Sequence, residues 1–206
     1  MVELNRNQIT AAVLAGGMGR RMGGMDKGLV EIAGKPMIAW TLDALRPQAD
    51  RLMINANRSL SDYAAFGLPV IEDRHGGFQG PLAGLHAVLS AATTPFVAVV
   101  PCDTPRLPAD LITRLATAME RDGSELATAE AGGRVHTLHA LFRRDLLEDL
   151  ERALTRGERK PDAWYATRRW SRVDFNDVAS AFDNINTPEQ REALAAQLHS
   201  TNESSP

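Results

Sequence analysis

Cysteine is nearly missing: Cys102 is the only one in 206 residues. An intramolecular disulfide, a CxxC redox pair and a cysteine-built zinc or iron–sulfur site are therefore excluded, which fits a reducing compartment and an expected cytoplasmic location. Long apolar runs are missing too. The longest plain one, Phe96 to Val100, is far short of the roughly 20 residues that a membrane-spanning helix needs. The polar start, Met1 to Thr10, has no apolar segment of the kind a secretory signal carries. Nor is there an excess of positive charge. With 23 Lys plus Arg against 26 Asp plus Glu, a net of -3, the chain lacks the broad basic field of sequence-independent nucleic-acid binding. Neither a membrane nor a nucleic acid is an expected partner.

What is present is 44% hydrophobic residues, enough for one full-sized core. One domain over residues 1–200 with a disordered tail at 201–206 is expected, since α/β folds often pass 200 residues as a single unit. Short β-branched runs alternate with stretches whose apolar residues recur every three to four positions. Strands are predicted at Ile9 to Leu14, Leu52 to Asn55, Pro69 to Ile71, Phe96 to Val100, Glu125 to Ala129, Val135 to Phe142 and Arg172 to Phe175. Helical stripes follow three prolines that can sit in a first turn: Ile38, Leu42 and Leu45 after Pro36; Leu82, Leu85 and Leu89 after Pro81; Ile112, Leu115 and Met119 after Pro108. Another stripe, Leu147, Leu150 and Leu154, follows Asp145 as N-cap, and a last helix opens at Thr187-Pro188-Glu189 and frays after His199. The alternation predicts an α/β fold, a Rossmann-like, mostly parallel sheet with helices on both faces, whose ligands bind at the carboxyl ends of the strands.

The loop after the first strand runs from Leu14 to Lys27, with five glycines and three cations, Arg20, Arg21 and Lys27, in fourteen residues. Backbone amides without side chains can approach phosphate closely and form an anion nest, and the cations can offset a triphosphate. The dinucleotide fingerprint fails because Met22 stands where its third glycine would be. The P-loop pattern fails because Lys27 lies between Asp26 and Gly28. The alternative is a mobile surface loop rich in turn formers.

Further along, Phe96 to Val100 runs into Pro101-Cys102-Asp103-Thr104-Pro105, which puts a carboxylate at the end of a buried strand. On position alone Asp103 is either a Mg2+ ligand or a helix cap. Cys102 reads as a small buried hydrophobe. Asn55 and Asp73 each follow an apolar run on the same sheet edge. Such groups can match the donors and acceptors of a guanine edge, but taken by themselves they read first as turn-forming Asx residues. His136 and His139 are three apart in a predicted strand and should point to opposite faces. Arg156 to Arg172 holds six cations against Glu158 and Asp162, with Trp164, Tyr165 and Trp170 among them. Those residues could hold a phosphorylated pterin, bind single-stranded nucleic acid, or form a solvated loop packed on its own aromatics.

The loop Leu14-Ala-Gly-Gly-x-Gly-x-Arg-Met-Gly-Gly-x-Asp-Lys27 resembles the signature of nucleotidyltransferases of the molybdenum cofactor guanylyltransferase type, within the wider sugar-nucleotide pyrophosphorylase-like superfamily. The similarity continues through Gly34-Lys-Pro-Met37, Asn55-Ala-Asn-Arg58, Val70-Ile-Glu-Asp73, Gly80-Pro-Leu-Ala-Gly84, Pro101-Cys-Asp-Thr-Pro105 and Asn184-Ile-Asn-Thr-Pro188. The resemblance implies transfer of GMP from GTP to the phosphate of molybdopterin, or of the molybdenum cofactor, with release of pyrophosphate. By position it implies GTP contacts at Leu14, Ala15, Gly16, Gly17, Lys27, Asn55, Asp73 and Asp103, with Mg2+ on Asp103. The catalytic residues it implies are Arg21, Lys27 and Asp103. Transient contacts with cofactor biosynthesis proteins and recipient apoenzymes follow from it as well, with a monomer as the expected state. Two other readings stay open: CTP on the same pterin or a nucleotide on a sugar phosphate, and a non-catalytic nucleotide- or RNA-binding module.

Overall fold

A computed structural model describes residues 5–15, 26–73 and 80–203, with side chains to residue 197. In chain order the elements are β1 (Ile9–Leu14), β2 (Glu31–Ile32), β3 (Lys35–Pro36), α1 (Met37–Leu45), β4 (Arg51–Asn55), α2 (Leu60–Ala64), β5 (Val70–Ile71), α3 (Pro81–Ala91), β6 (Phe96–Pro101), α4 (Leu111–Asp122), β7 (Leu126–Ala131), β8 (Arg134–Arg143), α5 (Leu147–Thr155), α6 (Pro161–Tyr165), β9 (Trp170–Asp174) and α7 (Pro188–Glu203). Seven strands form one sheet in the order β5-β4-β1-β6-β8-β7-β9. The β5, β4, β1 and β6 strands are mutually parallel, β9 is parallel to β7, and β8 alone runs antiparallel to its neighbours β6 and β7.

Strand residues point alternately to the two faces of the sheet, so successive positions feed two cores. Ala11 and Val13 pack with Ile38, Leu42 and Leu45 of α1 and Ile112 and Leu115 of α4. Ala12, Val97 and Val99 pack with Leu82, Leu85 and Leu89 of α3 and Leu150 and Leu154 of α5. Helices therefore cover both faces, as the continuous apolar strands require. A third cluster, with Val30, Ile32, Met37, Ile185 and Leu194, ties the β2–β3 hairpin and α1 to α7. That cluster carries the Asn184-to-Asn186 segment toward the sheet.

The helix starts differ from the sequence expectation in three places. Of the three prolines ahead of α1, α3 and α4, Pro81 lies in a first turn, whereas Pro36 is the N-cap residue of α1 and Pro108 stands ahead of the Asp110 N-cap of α4. Asp110 makes no side-chain cap bond, and the buried first turn of α4 is satisfied from elsewhere, because Gln48 Oε1 accepts from Ile112 N at 3.0 Å. Asp145 is not a cap, because a 3-10 turn, Arg144–Leu146, precedes α5. Thr187 behaves as expected: its Oγ1 accepts from Gln190 N at 3.3 Å while Gln190 Oε1 accepts from Thr187 N at 3.1 Å, a reciprocal cap. The α7 helix extends past His199, and residues 204–206 lie outside the described residues.

The histidine expectation is overturned by a bulge. Thr128 of β7 pairs with Ala140, but the next residue, Ala129, pairs with His136, so Thr137 to His139 have no register partner on β7. Extra residues in one strand break the strict alternation of side chains. His136 and His139 meet with ring centroids 5.5 Å apart, and both lie against Phe182, at 4.8 and 5.0 Å.

Candidate functional site

The sheet register places the last residues of four strands side by side: Leu14 of β1 opposite Asn55 of β4 and Pro101 of β6, and Asn55 opposite Ile71 of β5. The loops that leave these residues share one edge. Backbone bonds extend the pairing beyond the strands, with Ala15 N donating to Asn55 O at 2.8 Å and Cys102 N to Leu14 O at 3.2 Å. Gly16, Gly17 and Arg21 lie outside the described residues.

Lys27 opens a 3-10 turn, Lys27–Leu29, and reaches across the edge. Its Nζ donates to Asp103 Oδ2 at 2.5 Å and to Asn186 Oδ1, also at 2.5 Å. Asp103 is mostly buried, and its backbone O accepts from Ile185 N at 2.9 Å. The glycine loop's lysine, the β6 carboxylate and the closing Asn-x-Asn block are thus one assembly. Asn186 is a site residue that the sequence signals only through the Asn184-Ile-Asn-Thr-Pro188 block's match to the family pattern.

Asp103 Oδ1 is buried and has no hydrogen-bond partner among the described residues. A carboxylate oxygen with vacant lone pairs at the carboxyl end of a parallel strand suits a hard cation such as Mg2+, which is commonly held by one or two carboxylates, waters and substrate phosphates. No group of three or more His, Cys, Asp or Glu gathers among the described residues. Asp103 caps no helix, since α4 begins at Leu111 with Asp110 in front of it.

Next to Asp103, Thr104 is fully buried and its Oγ1 lies 2.9 Å from His139 Nε2. Burial, and then the neighbouring His136, push the His139 pKa down to about 3, so the ring is neutral. Cys102 is buried, and its thiol is pushed up to about 12 by burial and by Asp103. A thiol in that state is a packing group, as expected, and not a nucleophile.

On β4, Asn55 is buried and turned inward. Its Nδ2 donates to Ile71 O at 3.0 Å and to Asp73 Oδ1 at 2.9 Å. Asn57, which no spacing in the sequence marks as a site residue, donates from Nδ2 to Asp73 Oδ2 at 2.9 Å and accepts from Asp73 N at 2.8 Å. Both oxygens of Asp73 are fixed by these two amides. A Cβ on Gly84 would come within 2.5 Å of Asn55 Oδ1, so the first turn of α3 closes over Asn55 only because that residue is glycine.

Two of the three aromatics in the Arg156 to Arg172 segment are buried, while Trp170 is half-buried with the Arg172 guanidinium 4.5 Å from its ring centre. Trp164 and Tyr165 are buried among Phe142 and Trp170, because α6 turns them onto the sheet. Trp164 Nε1 donates to Asp149 Oδ2 at 2.8 Å and Tyr165 OH to Thr137 O at 2.8 Å. Stacking of a pterin or nucleobases on Trp164 and Tyr165 is excluded by their burial. A cleft of about 860 Å3 opens elsewhere, beside Asn186, lined among others by Arg106, Arg134, His136, Phe182 and Asn184.

A parallel sheet edge with a cationic glycine loop ahead of a lysine–carboxylate pair defines a nucleotidyltransferase. Residues 11–173 match the model of the MobA-like NTP transferase domain, and the chain belongs to that family. A molybdenum cofactor guanylyltransferase from Shewanella sp. (strain ANA-3) is 47% identical over 192 residues, 93% of this chain and 98% of that one. Another, from Shewanella sediminis, is 45% identical over 191 residues, covering 93% and 97%. Among solved structures, molybdopterin-guanine dinucleotide biosynthesis protein A from Archaeoglobus fulgidus superposes with a TM-score of 0.76 at 25% identity, over 93% of this chain and 99% of that one. A nucleotidyl transferase from Methanothermobacter, 21% identical with a TM-score of 0.73 over 94% and 98%, shares the fold. No helix among the described residues is long and apolar enough to cross a membrane.

Proposed function

We propose that the chain transfers GMP from GTP to the phosphate of molybdopterin and releases pyrophosphate. The observation that carries this is the meeting of Lys27, Asp103 and Asn186 at the sheet edge, in a chain almost half identical, end to end, to guanylyltransferases of that cofactor. An oxygen of the acceptor phosphate forms a bond to the α-phosphorus as the bond from that phosphorus to the bridging oxygen of pyrophosphate breaks. The attacking oxygen is already anionic, so the chain needs no general base. Its work is alignment and charge neutralisation.

Lys27 and Arg21 would neutralise the charge that grows on pyrophosphate, and the amides of Gly16 and Gly17 would take phosphate oxygens, the Ala15 amide being committed to Asn55 O. Asp73, held by Asn55 and Asn57, would present a fixed carboxylate to the N–H groups of guanine. In this reading Asn55 acts through Asp73 rather than by touching the base. Asp103 would hold Mg2+, which when bound supplies charge neutralisation at the phosphate oxygens. The cleft beside Asn186 is the proposed entry for the pterin phosphate, with Arg106 and Arg134 supplying positive charge. The reading includes a cytoplasmic reaction, supported by the lone, buried, unpaired cysteine.

The test is pyrophosphate release from GTP and Mg2+, with and without molybdopterin. Release that depends on the pterin supports the reading. Release with a sugar phosphate alone would overturn the acceptor, and no release with any acceptor would overturn the reaction.

A further inference from the structure

Asp26 and Gly28, on either side of Lys27, are both fastened to one buried tyrosine. Tyr63 of α2 is fully buried, and its hydroxyl donates to Asp26 Oδ1 at 2.5 Å. Arg58 Nε lies 3.3 Å from Asp26 Oδ2, and the Asp26 side chain is only 5% exposed. On the other side of the lysine, a Cβ on Gly28 would stand 2.6 Å from the Tyr63 hydroxyl. The backbone of the turn is closed by Leu29 N donating to Asp26 O at 3.0 Å.

Taking a carboxylate out of water costs several kcal/mol unless its partners return that energy, and a turn next to the surface could be built from exposed polar residues. Here the buried charge fixes a direction. With Asp26 hydrogen-bonded through Oδ1 and ion-paired to Arg58 through Oδ2, and Gly28 close against the Tyr63 hydroxyl, the path of the backbone at Lys27 is fixed, and its flexible four-carbon side chain reaches Asp103 and Asn186. Burial and the hydrogen bond to Asp26 push the Tyr63 pKa upward, so the hydroxyl remains a donor throughout the neutral range.

We propose that Tyr63, Asp26 and Arg58 are positioning residues that aim Lys27 at the reacting phosphates. This rests on the reading of Lys27 as a group that stabilises the leaving pyrophosphate. None of the three is asked to touch substrate. They act through the path of the backbone at Lys27, so their loss should affect turnover more than GTP binding.

The test joins a structural readout on the free protein to kinetics. Lysine-selective 15N NMR, assigned with Lys27→Ala, reports the Lys27 ammonium, and a Tyr63→Phe variant should shift or broaden that resonance. In transfer assays Y63F should lower kcat about 10- to 100-fold, the scale of a misplaced catalytic group, with KM for GTP within about twofold. If Tyr63 acts only through Lys27, the double variant K27A/Y63F is no slower than K27A. Should Y63F not fold, Gly28→Ala carries the test, since it pushes the turn off the ring while keeping all three side chains. An unshifted Lys27 resonance in a folded variant, or a Y63F penalty that persists in the K27A background, overturns the proposal. Absence of transfer in the wild type would overturn the function reading instead, and the NMR arm would still decide the positioning.

Discussion

Lys27 Nζ donates to Asn186 Oδ1 at 2.5 Å, which joins two residues 159 positions apart. Asn186 is itself held, because its N–H donates to Gln190 Oε1 at 2.7 Å within the cap of α7. Asn186→Ala leaves Lys27 with Asp103 alone and free to rotate about it. Transfer should fall by about tenfold, the loss of one charge-assisted hydrogen bond of roughly 1.5 kcal/mol, with the melting temperature nearly unchanged. Steady-state kinetics beside a thermal melt checks it; a drop in melting temperature with unchanged turnover would make Asn186 a structural residue only.

Asp103→Asn keeps the shape of the side chain and removes its charge, and with it both the Lys27 ion pair and the proposed cation ligand. Turnover should fall on the order of 10² to 10³, as when a group that stabilises transition-state charge is lost. The fold should survive, since Oδ1 has no hydrogen-bond partner to lose among the described residues. Near-normal turnover at saturating Mg2+ would sink the assignment of Asp103 to the metal.

Gly84→Ala tests the packing that fixes the base side of the site. The added methyl group would meet Asn55 Oδ1 at 2.5 Å, and Asn55 is what holds Asp73 Oδ1. Overpacking of this kind costs about 1–3 kcal/mol. A lower melting temperature together with a several-fold higher KM for GTP is expected. If KM is unaffected while stability falls, Asp73 is not coupled to nucleotide binding through Asn55.

His139 gives the protein an acid sensitivity with a definite sign. Its folded pKa, about 3, lies below the ordinary value near 6.5, so the unfolded chain binds the proton more readily between those values. Stability present above pH 6.5 is lost as the pH falls toward 3, by about 1.5 kcal/mol between pH 6.5 and 5. His136 is shifted the same way, first by burial. Denaturant unfolding at pH 7 and pH 5 should show this loss in the wild type and less of it in His139→Gln. An equal loss in both would place the titrating group elsewhere.

The strands that build the site edge were legible because β1 and β6 are apolar at nearly every position, which periodicity reads without ambiguity. The β2–β3 hairpin was not, since two residues per strand carry no period. The five-residue α2 and α6 helices were missed for the same reason, and with α2 went any view of Tyr63 over Asp26. The β8 bulge defeated the His136 and His139 reading because a register shift leaves no trace in residue spacing. Lys27 and Asp103 could be named from their motifs, but not their pairing across 76 residues. Asn57 stood inside a quoted motif, yet only the fold shows it bonded twice to Asp73. The rings of Trp164 and Tyr165 could have been ligand platforms or core, and composition does not separate the two.

The most direct measurement is a mass-spectrometric end-point assay, with the protein, Mg2+ and molybdopterin given GTP, CTP and ATP together in equal amounts. A pterin guanine dinucleotide as the dominant product is the predicted result. A dominant cytosine or adenine dinucleotide, or no dinucleotide from folded protein that binds GTP, would contradict the account.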